Sequence, residues 1–160
     1  MSIVIQSFQQ PYQDQVISLI CGIQRGEYLM DITPEQQPDL KDIPNFYQTG
    51  RGNFWIALDK TKVIGTIALK DIGNGDSALR KMFVAKEYRG KGPSKALLDT
   101  LLGHAKKEGI TSIYLGTTAL FVPAQFFYKK NGFIEISPEN LPKSFPRMAV
   151  DSKFYKFSVQ

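Results

Sequence analysis

The chain has 160 residues, 42% of them hydrophobic and 22% charged, which is ordinary for one compact globular domain. Its one cysteine and one histidine exclude an internal disulfide and a metal site built from Cys and His ligands. The formal net charge of +5 suits an anionic ligand, a nucleic acid or a membrane surface, but it selects none of them.

No segment of the sequence is typical of export or of membrane insertion. The N-terminal residues lack the basic start and continuous apolar run of a signal peptide, and no stretch is long enough to span a bilayer. No repeat and no linker divides the sequence. We therefore expect a soluble, cytoplasmic protein with a single domain over residues 1–160.

The first third of the chain predicts a strand, a helix and an irregular excursion. Ile3 to Phe8 is typical of a strand. Residues 25–38 are mixed and carry prolines, so we expect a loop there, followed by a short helix from Asp39 to about Tyr47. The helix between the strand and the loop is predicted by the helical spacing of Val16, Ile17, Ile20 and Ile23.

Three strands of an antiparallel meander are predicted next. Asn53 to Leu58 and Val63 to Leu69 are apolar runs rich in β-formers, separated by a short polar loop. Residues 73–76 read Gly-Asn-Gly-Asp and tolerate positive φ, so they predict a turn into a third strand, Ala78 to Val84.

The last part of the chain predicts alternating helices and strands. Apolar residues fall on one face of a helix from Pro93 to about Glu108. Ser112 to Leu115 is typical of a buried strand, Pro123 to Lys130 of a helix, and Phe133 to Ile136 and Lys153 to Val159 of two further strands. The whole order predicts an α/β (α+β) fold, with a mixed sheet that has helices on both faces.

A basic turn with two glycines lies between the third meander strand and the long helix. A helix start carries unpaired N–H groups and partial positive charge, so it binds phosphate where small residues let the ligand approach. The glycines lack the spacing of a Walker motif or of a dinucleotide-binding fold, which disfavours ATP and NAD. A solvated basic turn is the alternative. The turn reads Arg89, Gly90, Lys91, Gly92, Pro93, Ser94.

This turn and a second segment resemble the GNAT superfamily of N-acetyltransferases. Arg89, Gly92 and Ser94 occupy the positions of the family's pyrophosphate motif, Gln/Arg-x-x-Gly-x-Gly/Ala, with Ser in place of Gly or Ala. Residues 124–133 resemble the family's A-x-x-F/L-Y-x-x-x-G-F segment. Phe121 stands where many members carry an Asn, so one coenzyme contact of the family is missing.

The resemblance implies direct acetyl transfer from acetyl-coenzyme A to an amine within a ternary complex. It implies the GNAT-like acyl-CoA acyltransferase fold, a mostly antiparallel sheet of about seven strands flanked by helices, with the coenzyme in a splay between the fourth and fifth strands. Backbone groups around Met82 would pair with the pantetheine, and its N–H is the expected donor to the oxyanion. The implied coenzyme-binding residues are Met82, Phe83, Val84, Arg89, Gly90, Lys91, Gly92, Pro93, Ser94 and Tyr128.

Two side chains are candidates for the proton transfers. Tyr128 matches the family position of the general acid that protonates the leaving thiolate, and its alternative interpretation is an aromatic core residue. The family's occasional base, a Glu on the fourth strand, is absent here. Glu27, in the excursion after the first helix, is the candidate base, and a solvated loop carboxylate is its alternative interpretation.

Two other functions stay open at this point. The first is a non-catalytic acyl-CoA binding or sensing module, because no base is evident. The second is a nucleic-acid-binding domain, suggested by the basic charge, although no recognised motif supports it. We expect no nucleic acid, membrane or metal as a partner, whereas the family resemblance is compatible with a homodimer. The acceptor is not specified by the sequence.

Overall fold

Seven strands form one mixed sheet in the computed structural model, which describes residues 2–160. Every neighbouring pair is antiparallel except β4 and β5, which are parallel. The order across the sheet is β1-β2-β3-β4-β5-β7-β6. The strands are β1 (Ile3–Ser7), β2 (Asn53–Asp59), β3 (Lys62–Gly73), β4 (Asp76–Val84), β5 (Ser112–Thr117), β6 (Ile134–Ile136) and β7 (Lys153–Ser158).

Four α-helices accompany the sheet among the described residues. They are α1 (Gln13–Gly26), α2 (Ile43–Phe46), α3 (Pro93–Lys107) and α4 (Val122–Lys130). Short 3-10 helices occur at residues 10–12, 34–36, 38–41, 86–88 and 138–140. The predicted fold class, a mostly antiparallel seven-stranded sheet flanked by helices, is confirmed.

Helices cover both faces of the sheet because its central strands are apolar on both sides. In β2, Trp55 and Ala57 belong to one buried cluster, while Phe54 and Ile56 belong to the other. The first cluster packs against α3 and the second against α1. This arrangement agrees with near-continuous burial along β2 and β3, which is typical of strands covered on both faces.

Two elements differ from the sequence-based prediction. β3 continues beyond Leu69, because Lys70 and Asp71 pair with the start of β4. The short helix expected from Asp39 to Tyr47 is divided into a 3-10 turn and the separate helix α2. Pro44 lacks a backbone N–H, so a single helix through this segment loses a hydrogen bond at that position.

β4 and β5 pair over only three residues. Asp76, Ser77 and Ala78 are matched with residues 112–114, and no further pair forms between the described residues of these strands. β4 nevertheless runs on to Val84 and β5 to Thr117. The strands therefore splay apart and leave the β4 backbone facing a gap.

Leu97 anchors α3 to the sheet and is fully buried. We expect Leu97→Ala to lower the free energy of unfolding by about 2–5 kcal/mol, because it leaves a cavity in the core. Urea unfolding measures this change. The control Lys106→Ala, on an exposed position of the same helix, should change stability by less than about 0.5 kcal/mol. Equal effects of the two variants would contradict this account of the core.

Candidate active site

A β-bulge lies in β4 at the edge of the splay. The register passes from Ala68 opposite Arg80 to Thr66 opposite Phe83, so two β4 residues stand opposite one residue of β3. One of the two, Lys81, has a φ of 54°, in the left-handed region that non-glycine residues rarely adopt. Its carbonyl accepts a hydrogen bond from Thr66 Oγ1 at 2.7 Å. Bulges of this kind occur next to active sites, where they redirect the strand.

The glycine turn after β4 leads directly into α3. Gly90 and Gly92 have φ values of 75° and 101°, which explains why glycine stands at both positions. At either position a Cβ atom would meet no other atom within 4 Å, so the surface of the turn is open. α3 begins at Pro93, and no acidic residue occupies its first turn. The N-terminal partial charge of this helix is therefore available to an anion.

A cavity of about 290 Å³ lies beside this turn, and we name it the coenzyme cavity. Six of the residues predicted to bind the coenzyme line it, whereas residues 90–93 belong to the adjoining turn and do not. Its predicted lining residues are Met82, Phe83, Val84, Arg89, Ser94 and Tyr128.

Glu27 and Arg89 form a bidentate salt bridge. The guanidinium nitrogens of Arg89 donate to the two Glu27 carboxylate oxygens at 2.5 and 2.8 Å. The Arg89 Nε donates to the carbonyl of Val84 at 2.9 Å, which orients the side chain. The hydrogen bond to Glu27 raises the pKa of Arg89. The structure thus joins a predicted base to a predicted pyrophosphate ligand, although the sequence places them 62 residues apart.

Tyr128 belongs to the core and also to the cavity wall. It packs near Phe133 and Tyr155, with ring centroids 5.5 and 6.2 Å away. Burial raises the pKa of Tyr128 well above its ordinary value, so the phenol keeps its proton at neutral pH. Tyr128 is thus a core aromatic residue that also reaches the cavity, and its role as general acid stays a prediction.

An aromatic pair stands at the cavity where the family often has an Asn. Phe121 and Tyr28 meet edge to face with ring centroids 4.4 Å apart, and both line the coenzyme cavity. Phe121 precedes α4, while Tyr28 follows α1. An apolar contact between the two loops therefore occupies the position of a polar contact.

A second cavity, of about 130 Å³, shares Phe83 and Phe121 with the first and is named here the distal cavity. On its wall, Lys81 Nζ donates to Gln37 and lies 3.6 Å from Asp39 Oδ2. Tyr47 donates a hydrogen bond of 2.6 Å to the same carboxylate. Burial lowers the pKa of Lys81. This buried network was not predicted, because its members come from separate segments without a motif.

The described residues supply neither a membrane-spanning helix nor a metal centre of the usual kind. None of the helices within residues 2–160 combines the length and hydropathy needed to cross a bilayer. The same residues contain no group of three or more His, Cys, Asp or Glu side chains that could hold a metal ion.

A family model described as the Acetyltransferase (GNAT) family matches residues 19–133. The chain belongs to this family. The sequence-based expectation that the chain belongs to the GNAT superfamily is therefore confirmed.

Similar proteins include curated relatives and solved structures. The N-acetylaspartate synthetase of Xenopus tropicalis is 39% identical over 99 residues, which cover 59% of this chain and 36% of that protein. N-acetyltransferase 8F1 of Rattus norvegicus is 34% identical over 100 residues, covering 59% of this chain and 45% of that protein. The chain thus spans less than half the length of these two relatives.

The solved structures extend the similarity over almost the whole chain. A GNAT-family acetyltransferase of Staphylococcus aureus has a TM-score of 0.96 at 39% identity, covering 99% of this chain and 100% of that one. The PaiA N-acetyltransferase of Thermoplasma acidophilum, solved in complex with coenzyme A, has a TM-score of 0.75 at 20% identity and covers 99% of each chain. The second comparison supports the fold alone.

The Glu27 carboxylate forms a salt bridge with the guanidinium of Arg89, which we expect to bind phosphate. Glu27→Gln should therefore lower the Kd for acetyl-CoA about two- to fivefold, since the ion pair is partly exposed and of modest strength. Isothermal titration calorimetry measures the Kd. An increased Kd would mean that Glu27 instead holds Arg89 in place for the coenzyme.

The pH dependence of kcat in the same variant tests the role of Glu27 as base, and a wild-type profile excludes that role.

Proposed function

We propose that residues 1–160 act as a single N-acetyltransferase domain that transfers the acetyl group of acetyl-CoA to a primary amine. Attack is direct, within a ternary complex. The observation that carries this proposal is the coenzyme cavity, in which the splayed strand β4, the glycine turn and Tyr128 meet.

The coenzyme would lie across the splay. Support comes from the β4 backbone, which has no β5 partner beyond Ala78 and can pair with the pantetheine amides as an added strand would. The pyrophosphate would bind at the glycine turn, where the start of α3 and Arg89 supply positive charge. Residues proposed to contact the coenzyme are Met82, Phe83, Val84, Arg89, Gly90, Lys91, Gly92, Pro93, Ser94 and Tyr128.

The chemistry consists of one bond made and one bond broken. The amine nitrogen attacks the thioester carbon, and the carbon–sulfur bond then breaks to release the thiolate. The Met82 N–H, at the bulge, is the proposed donor to the oxyanion. Tyr128, whose phenol is protonated at neutral pH, is the proposed acid that protonates the thiolate.

The alternative function is a non-catalytic acyl-CoA binding or sensing module. The salt bridge between Glu27 and Arg89 favours it, because the base expected from the sequence has another partner. Such a module binds acetyl-CoA at the same turn but releases no thiol with any amine.

A cytoplasmic location is part of the proposal. The single cysteine, Cys21, is buried and unpaired among the described residues, which supports a reducing compartment. The proposal includes neither nucleic acid nor a membrane as a partner. A homodimer remains an expectation from the family resemblance.

The first experiment is a calorimetric titration of the protein with acetyl-CoA. Arg89→Ala should raise the Kd about tenfold or more, because it removes charge-assisted hydrogen bonds to phosphate. Acetyl-pantetheine, which lacks the 3′-phosphate-ADP portion, should bind at least as weakly to the wild-type protein. Lys106→Ala serves as a control for loss of a positive charge elsewhere on α3. Failure of the wild-type protein to bind acetyl-CoA would refute both functions.

Tyr128→Phe tests the proton donor. We expect kcat to fall about 10²- to 10⁴-fold while the Kd for acetyl-CoA stays within about twofold. The substitution keeps the aromatic ring and removes only the hydroxyl group that donates the proton. Tyr155→Phe is the matched control, since Tyr155 lies in the same aromatic cluster with its hydroxyl buried and without a partner among residues 2–160. Unchanged turnover in Tyr128→Phe would remove Tyr128 from the mechanism.

A further inference from the structure

We infer that the acceptor is a small amine that also carries an anionic group, with Asp151 as the base for its amine and Arg80 as the ligand of its anion. This inference rests on the proposed acetyltransferase function. It names an acceptor class and two residues that the sequence analysis did not single out.

The position of Asp151 connects the acceptor side with the proposed acid. Asp151 lines the distal cavity. It also lines a third cavity, of about 100 Å³, whose wall includes Met82 and Tyr128. An amine held by Asp151 therefore lies on the same cavity as the proposed oxyanion donor and the proposed acid. The volumes of the two cavities suit a small molecule.

Asp151 is held in place by its neighbours. Its Oδ2 accepts a hydrogen bond of 3.0 Å from the backbone N–H of Met148. A Cβ atom at Gly116 of β5 would stand only 2.5 Å from the same oxygen, so the missing side chain of this glycine makes room for the carboxylate. Asp151 is also the only acidic residue on the walls of these two cavities within residues 2–160.

The electrostatic surroundings of Asp151 suit a base. Burial raises the pKa of its carboxyl, while Arg80, Arg147 and the Met148 N–H act in the opposite direction. A raised pKa brings a carboxylate closer to the value that an efficient base needs near neutral pH. The other titratable groups on the same two walls are Lys81 and Tyr128.

Arg80 differs from its neighbour Lys81 in having no carboxylate partner. Lys81 is balanced by Asp39 at 3.6 Å, whereas no acidic side chain of the described residues lies within 4.0 Å of the Arg80 guanidinium. Instead, the guanidinium stands over the rings of Phe46 and Tyr47, at 5.6 and 5.9 Å from their centroids. Its Nη2 nitrogen also donates to Met148 Sδ at 3.6 Å. Arg80 is therefore a cation without a salt-bridge partner on the wall of the distal cavity.

The guanidinium and the Asp151 carboxylate face one cavity but do not form a salt bridge. Arg80 is close enough to lower the pKa of Asp151. A molecule with both an ammonium and a carboxylate group fits between them, with its ammonium at Asp151 and its carboxylate on Arg80. A guanidinium binds a carboxylate through two parallel hydrogen bonds, which makes α-amino acids the simplest class of acceptor.

The proton transfers balance as follows. Asp151 takes one proton from the ammonium, and the free nitrogen forms the new bond to the thioester carbon. When the carbon–sulfur bond breaks, Tyr128 gives its proton to sulfur and is reprotonated by the remaining N–H⁺ of the adduct. The products are the N-acetyl amine and coenzyme A, and one proton leaves through Asp151.

Asp151→Asn tests the base. The amide oxygen can still accept a hydrogen bond from the Met148 N–H, so we expect an unchanged melting temperature. We also expect kcat to fall about 10²- to 10⁴-fold and the acid limb of the kcat–pH profile to be lost. Because the ionised form is active and burial raises the pKa of Asp151, that limb lies at higher pH in the wild-type enzyme than the titration of an ordinary aspartate. Glu139→Gln, an exposed site on the 3-10 helix at residues 138–140, is the control. A retained acid limb would refute the role of Asp151.

The acceptor class is tested by assaying thiol release with the standard L-α-amino acids, their carboxamides and spermidine. We expect kcat/KM to be at least about tenfold higher for amino acids than for carboxamides, because the amide leaves the guanidinium unpaired. Arg80→Met should abolish that difference, and Arg80→Lys should restore part of it. Equal use of carboxamides or preference for spermidine refutes the inference and leaves the acetyltransferase function intact. Acetyl-CoA binding without thiol release from any of these amines refutes the inference and favours the non-catalytic module.

Discussion

The short parallel pairing of β4 with β5 is the constraint on which the rest of the site depends. A strand that keeps a partner on each side has no free backbone groups, whereas β4 loses its β5 partner after Ala78. The bulge at Lys81 then bends β4 within the part that has no β5 partner. Because β4 runs into the glycine turn and α3, the gap in the sheet leads directly to a helix start that suits an anion. One local failure of strand pairing thus creates both the cleft and its link to the glycine turn.

Electrostatics distinguish the proposed coenzyme side of the site from the proposed acceptor side. On the coenzyme side, Arg89 is paired with Glu27. On the acceptor side, Lys81 is compensated by Asp39, while Arg80 has no carboxylate partner among the described residues. A positively charged protein can therefore contain some cations that form salt bridges and others that do not. Only a cation without a salt bridge can bind an anionic group without first breaking one. The formal net charge of +5 could not reveal this difference.

The aromatic side chains combine packing with access to the cavities. Tyr128 is part of the core cluster next to Phe133 and still lines two cavities. Phe121 and Tyr28 join the segment before α4 to the excursion after α1. A packed wall keeps its shape because core side chains have few alternative rotamers, so it can hold a reacting group in position.

The sequence by itself determined the order of the elements, the glycine turn and the family. These features depend on neighbouring residues: hydrophobic spacing gives α1 and α3, and Gly90 and Gly92 mark a turn that requires positive φ. Only the tertiary structure decided that Glu27 faces Arg89 and that a loop after residue 140 brings Asp151 to the distal cavity. These contacts join residues far apart in the chain. Their geometry depends on how the whole sheet folds, and no local pattern of residues encodes it.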